Sequence, residues 1–159
     1  MKALRIKKSE LVVLARWLNK QQLAGKQSRI RTRFVRDLAD AMRQLEQERQ
    51  AIIGSYVEKK KTKKGEEWKT TVDNGVKVWK VSPEKREALN KELADLYAED
   101  WVMDCTPETE EKLLTIKDIL ESTEYIFGPA PDDEPETAQQ KIQEANSYEV
   151  WCRAFEALD

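Results

Sequence analysis

The segment Lys26-Gln27-Ser28-Arg29-Ile30-Arg31-Thr32-Arg33-Phe34-Val35-Arg36 holds five cations in eleven residues. Its apolar spacing predicts the first turns of a helix, where the macrodipole disfavours positive charge by about 0.3–1 kcal/mol per residue at low salt. Helix N-termini bind anions, and a guanidinium fork matches phosphate or carboxylate. Lys26, Arg29, Arg31, Arg33 and Arg36 are therefore candidate ligands for an anionic partner, either nucleic-acid backbone or an acidic protein surface. The competing reading is internal pairing, with Arg33–Asp37 and Arg36–Asp40 at i,i+4 and acids from the second half of the chain. Helix pairs of that kind leave Arg29 and Arg31 over.

A second basic group follows at Lys59, Lys60, Lys61, Lys63 and Lys64, ahead of Trp68 and Trp79. Lysines track phosphates and indoles stack on bases, so the group resembles a basic arm with aromatic platforms. Strand tryptophans also pair across hairpins or pack into cores, and that reading stays open beside the first.

Other constellations carry no chemistry. Asp132, Asp133 and Glu134 lack the ligand spacing and glycine of a calcium loop, and read as a solvated acidic loop. Gly25-Lys26-Gln27-Ser28 lacks the upstream glycine and strand of a phosphate-binding loop. Cys105 and Cys152 form no C-x-x-C pair and read as half-buried small hydrophobes. The chain has no histidine, so the usual general base, triad partner and commonest transition-metal ligand are missing. No catalytic residue, metal site or cofactor is expected, and the chain reads as a binder rather than an enzyme.

The net charge of −2 hides a division. Residues 1–80 hold 21 Lys and Arg against 9 Asp and Glu, a charge of +12; residues 81–159 hold 7 against 21, a charge of −14. The halves could fold against each other, meet on neighbouring copies, or leave the basic half to nucleic acid. No apolar run approaches the roughly 18 residues of a membrane span, and the N-terminus lacks the apolar stretch of a signal peptide. A cytoplasmic location and no membrane partner are expected.

The elements that must position these residues follow from periodicity. Leu4 and Ile6 alternate with Arg5 and Lys7, predicting a short strand. Ser9 reads as the N-cap of a first helix with Leu11, Leu14, Ala15 and Leu18 on one face, ending near Gly25. From Ser28 a long helix carries Ile30, Phe34, Leu38, Ala41, Leu45, Ile52 and Tyr56, forming an antiparallel hairpin with the first. The lysine run after Glu58 reads as solvated. Around Asp73-Asn74-Gly75 the period becomes two, predicting a β-hairpin over about 67–81. Ser82-Pro83-Glu84 opens a third helix with Leu89, Leu93, Leu96 and Tyr97 on its stripe, and Thr106-Pro107-Glu108 a fourth with Leu113, Ile116 and Leu120. Trp101 to Asp104 reads as a short strand between them. A proline-rich loop at 128–135 precedes a last helix with Ile142, Ala145, Tyr148, Trp151, Phe155 and Leu158. The expected fold is α+β and mostly helical: a helical hairpin, one β-hairpin and three further helices. The whole, residues 1–159, reads as one domain from which a basic arm and hairpin protrude at about 57–82.

Two stretches resemble a family of small proteins of unknown function encoded by tailed bacteriophages and prophages of Gram-positive bacteria. They are residues 4–50, above all Gly25-Lys26-Gln27-Ser28-Arg29-Ile30-Arg31-Thr32-Arg33-Phe34, and residues 100–158, closing on Tyr148-Glu149-Val150-Trp151-Cys152-Arg153-Ala154-Phe155-Glu156. The Trp-containing hairpin has no counterpart in that resemblance. The resemblance implies phage origin and expression in the host bacterial cytoplasm, and it supplies no activity and no functional residues. The leading expectation is a non-enzymatic phage accessory or assembly protein acting on a protein partner, itself or a phage or host protein, as a homo-oligomer. The alternatives are a nucleic-acid binder using the basic half, and an acidic inhibitor of a host factor using residues 84–100 with Asp132 and Asp133.

Overall fold

The computed structural model describes residues 2–123 and 131–156. Among the described residues, five α-helices and small antiparallel strand pairs make a mostly helical α+β arrangement. It divides into two compact units, Met1–Met42 with Asp100–Asp159, and Arg43–Glu99. The long helix α2 (Gly25–Tyr56) contributes its first part to one and its last part to the other.

In the discontinuous unit, strand β1 (Ala3–Lys7) pairs antiparallel with β6 (Asp100–Asp104), in a register that sets Ile6 opposite Trp101 and Lys7 opposite Asp100. Alternation sends Leu4 and Ile6 into the core and leaves Arg5 and Lys7 outside. Three helices complete the unit with α2: α1 (Leu11–Lys20), α4 (Glu110–Ser122) and α5 (Pro135–Glu156). Their apolar stripes enclose Leu14, Leu18, Phe34, Leu38, Ile116 and a fully buried Trp151. Trp151 lies 5.7 Å from both Phe34 and Phe155 and 6.4 Å from Trp17, centroid to centroid. Edge and tilted contacts at these separations are the favourable ones for aromatic rings. α1 and α2 share this core across a short connection, while α1 makes its broadest contact with α5.

Two boundaries differ from expectation. Ser9 lies in a single 3₁₀ turn (Lys8–Glu10), and the residue preceding α1 is Glu10, with no side-chain cap. Gly25 does not terminate α1, which ends at Lys20, but opens α2 with φ of +61°. The positive φ that suits glycine to a helix end suits it equally to a sharp turn into the next helix, so the residue type alone leaves the two roles open. Ser28 accordingly falls inside the first turn. Residues 128–130 of the proline-rich loop, and Leu158, lie outside the described residues.

In the second unit, the end of α2 and helix α3 (Pro83–Ala98) bury Ile53, Val57 and Val81 against Tyr56, Leu89 and Leu93. Ile53, eight residues after Leu45, takes the core position expected of Ile52, because a 3.6-residue period drifts past a strict seven. Val57 and Val81 form an antiparallel bridge from which two hairpins extend. The hairpin around Asn74-Gly75 is present as β4 (Thr70–Asp73) and β5 (Val76–Trp79), with φ of 49° and 79° at the turn residues. Positive φ at both central positions is the turn geometry whose twist matches its strands.

The lysine run is solvated, as expected, and has a secondary structure of its own. It is a strand, β2 (Lys59–Thr62), paired with β3 (Gly65–Trp68), so Trp68 belongs to a separate first hairpin and faces Lys59. The hairpins are offset by eleven residues, and their roots close a triangle of backbone hydrogen bonds. The N–H of Glu58 donates to the carbonyl of Lys80, that of Lys80 to Lys69, and that of Lys69 to Glu58, at 2.8–2.9 Å. This three-way junction satisfies backbone groups that two isolated hairpins would leave open at their roots.

Candidate binding surface

The predicted site residues fall into two groups, one in each unit. On α2, Lys26, Arg29, Arg33 and Arg36 are exposed and share a face that flanks buried Ile30, Phe34 and Leu38. Lys26 pairs with Glu111 of α4. Its ammonium, with a smaller contribution from Arg33, holds the Glu111 carboxyl below the usual carboxylate range. Asp37 is taken not by Arg33, as the i,i+4 spacing suggested, but by Lys112 at 2.6 Å. Arg31 points elsewhere. Its guanidinium donates to the carbonyl of Gln21 just beyond α1 and to Ser28 Oγ, tying the connection between the helices.

The division of charge therefore resolves largely inside the first unit. Lys7 meets Asp100 at 3.7 Å and Lys20 meets Glu144 at 3.7 Å, so the basic N-terminal segment folds onto the acidic C-terminal one. By composition the first unit holds 15 cations and 19 acids, and the second 13 and 11. Neither keeps the excess of the sequence halves. Asp133 is also occupied, by Lys141 at 2.7 Å, which removes it from any outward-facing acidic surface.

The second group comes together on the hairpins. Lys59, Lys60, Lys61, Lys63 and Lys64 are all exposed on β2 and its turn. Lys60 is 4.0 Å from Glu67, and at the junction Lys80 is 3.2 Å from Glu58. Trp68 and Trp79 occupy equivalent positions at the ends of β3 and β5 and meet edge to face, 5.0 Å apart at 80°. Trp68 is half-buried over Gly54 of α2, whereas Trp79 is 46% exposed. An open cleft between the hairpins is lined by these rings with Lys60, Glu67, Thr70 and Lys77.

The sequence reading missed Val72 and Val76. They are 70% and 61% exposed, on opposite faces of the β4–β5 hairpin as the pairing register requires. A two-stranded ribbon that stands out from its unit leaves side chains on both faces in water. Val72 shares its face with Trp79, giving that face an exposed apolar surface, and Val76 lies on the other face. No protein-family model, curated protein or solved structure matches the chain significantly. The surface must be read from its own chemistry.

Proposed function

We propose that the protein is a non-enzymatic accessory or assembly protein, of bacteriophage origin as the sequence resemblance implies, that acts in the host cytoplasm through protein–protein contacts made by its paired hairpins. The observation that supports this reading is the exposure of Val72 and Trp79 on one face of the small hairpin. Clustered aliphatic and aromatic exposure of this kind marks contact surfaces. Aliphatic side chains gain from burial against another protein and little from contact with phosphate.

The same surface serves nucleic acid less well. Single-strand binders present successive aromatic faces for stacking. Here Trp68 turns its ring against Trp79 and Gly54, leaving Trp79 as the accessible indole of the pair. Glu67 lines the cleft where a phosphate would come to rest. No described helix is long and apolar enough to cross a membrane.

The test is side-chain footprinting of the intact protein in an extract of the cell that expresses it, with and without nuclease. Protection of Val72 and Trp79 that survives nuclease is the expected result. Protection abolished by nuclease transfers the surface to nucleic acid, and no protection at all removes the contact role.

A further inference from the structure

The second unit carries opposite charge at its two ends. The hairpins present the five lysines of β2 and its turn. Farther down the helical stem, Glu48, Glu92, Asp95 and Glu99 surround Ile52 and Leu96 in a shallow groove between α2 and α3. Glu92 and Asp95, spaced i and i+3, share one face toward the C-terminal end of α3, whose last turn holds no basic residue, and Glu99 follows as the residue just past the helix. Negative charge there is disfavoured by the macrodipole, and cations are favoured. The groove thus combines acids with an apolar floor, and the hairpins combine lysines with exposed valines and Trp79.

We propose that the hairpins of one copy dock in the stem groove of a second copy, and that the reverse contact forms at the same time. This rests on the reading of the hairpins as a protein-contact surface and names the partner. The groove sits about 9 Å along the stem from the junction, taking 1.5 Å per helical residue from Val57 back to Ala51. Two stems side by side and antiparallel therefore place each copy's hairpins over the other's groove. That is a two-fold, self-complementary arrangement, the commonest form of homo-oligomer. Two contacts per pair also help a small patch approach the roughly 1,200 Å² that specific interfaces bury. Exposed charge pairing of this kind steers association and weakens with salt.

The experiment measures molar mass by light scattering of the full-length protein at about 0.05 M and about 0.5 M salt, which bracket weak and strong screening. A dimer is expected, its dissociation constant rising roughly tenfold or more at the higher salt. A hairpin variant (Lys59→Glu, Lys63→Glu, Lys64→Glu) and a groove variant (Glu92→Lys, Asp95→Lys) should each be monomeric. Mixed in equal amounts, they should form a heterodimer, because each reversed surface then meets a reversed partner. Circular dichroism establishes that both are folded; if the lysine substitutions unfold the hairpin, Val72→Thr serves as the monomerising variant. A wild-type monomer at both salts, a dimer indifferent to both reversals, or a mixture that stays monomeric overturns the proposal. A monomer in isolation whose hairpin is protected in extract overturns the second copy as partner and leaves the contact reading standing.

Discussion

A methyl group on Gly54 would lie 3.0 Å from Cζ2 of Trp68, so the absence of a side chain in α2 is what lets the first hairpin lie against the helix. The contact runs from a helix residue to the last residue of β3, and it fixes Trp68, which in turn meets Trp79. Gly54→Ala gains about 0.5–1 kcal/mol of helix propensity but must displace an indole already held on its other side. A net loss of about 1 kcal/mol is expected, with a changed near-ultraviolet dichroism from the tryptophan pair. A more stable Gly54→Ala protein with an unchanged spectrum would show that Trp68 yields freely.

Arg31 and its neighbours should separate cleanly by substitution. The Arg31 guanidinium serves the Gln21 carbonyl, a hydrogen bond from a charged donor at a half-buried position. Arg31→Ala should cost about 1–2 kcal/mol in denaturant unfolding. Arg29→Ala and Arg36→Ala, whose side chains are exposed, should stay within about 0.5 kcal/mol. Equal effects at all three positions would mean that the helix face, rather than this single bond, determines the cost.

The phenol of Tyr56 donates to Glu92 Oε1 at 2.6 Å. That bond, with the nearby negative charge, raises the phenol above its ordinary value of 10.0. Since the folded value exceeds the unfolded one, the bond's contribution is complete below the ordinary phenol value and disappears as pH rises through the folded one. In Glu92→Ala the phenolate absorbance should titrate lower, near the ordinary value. An unmoved titration would refute the coupling.

Glu111 behaves in the opposite sense. Lys26 holds its carboxyl below the ordinary 4.5, so the ion pair's contribution is present above that value and is lost as pH falls through the folded one. Lys26→Met should bring the Glu111 carboxyl resonance back toward the ordinary midpoint. Because both groups are well exposed, the melting temperature at neutral pH should hardly move. A large drop would reveal a role for Lys26 beyond this pair.

Periodicity carried most of the secondary structure. Leu4 and Ile6 announced β1, the stripes of α1 and α2 announced their buried faces, and Asn74-Gly75 announced the β4–β5 turn. These are local signals, in which spacing along the chain equals position on one element. Two local signals were ambiguous. Gly25 reads equally as the end of one helix or the start of the next, because both need a positive φ. Lys59 to Lys61 show no alternation, so β2 became visible only through its pairing with Gly65–Trp68. An eleven-residue offset between Trp68 and Trp79 was present in the sequence, but two copies of a pattern sharing little besides a tryptophan do not declare themselves as a repeat.

The sequence by itself determined the α+β character, the approximate helices, the Asn-Gly hairpin and the opposed charges of the two halves, since each depends on composition or short-range spacing. Tertiary structure alone decided that β1 closes on β6 nearly a hundred residues later, that the basic and acidic segments pair within one unit, and that Arg31 braces a turn instead of facing a partner. It also decided that Val72, Val76 and Trp79 remain uncovered. Burial and ion pairing depend on which distant element arrives opposite a residue, and local spacing does not encode that arrival.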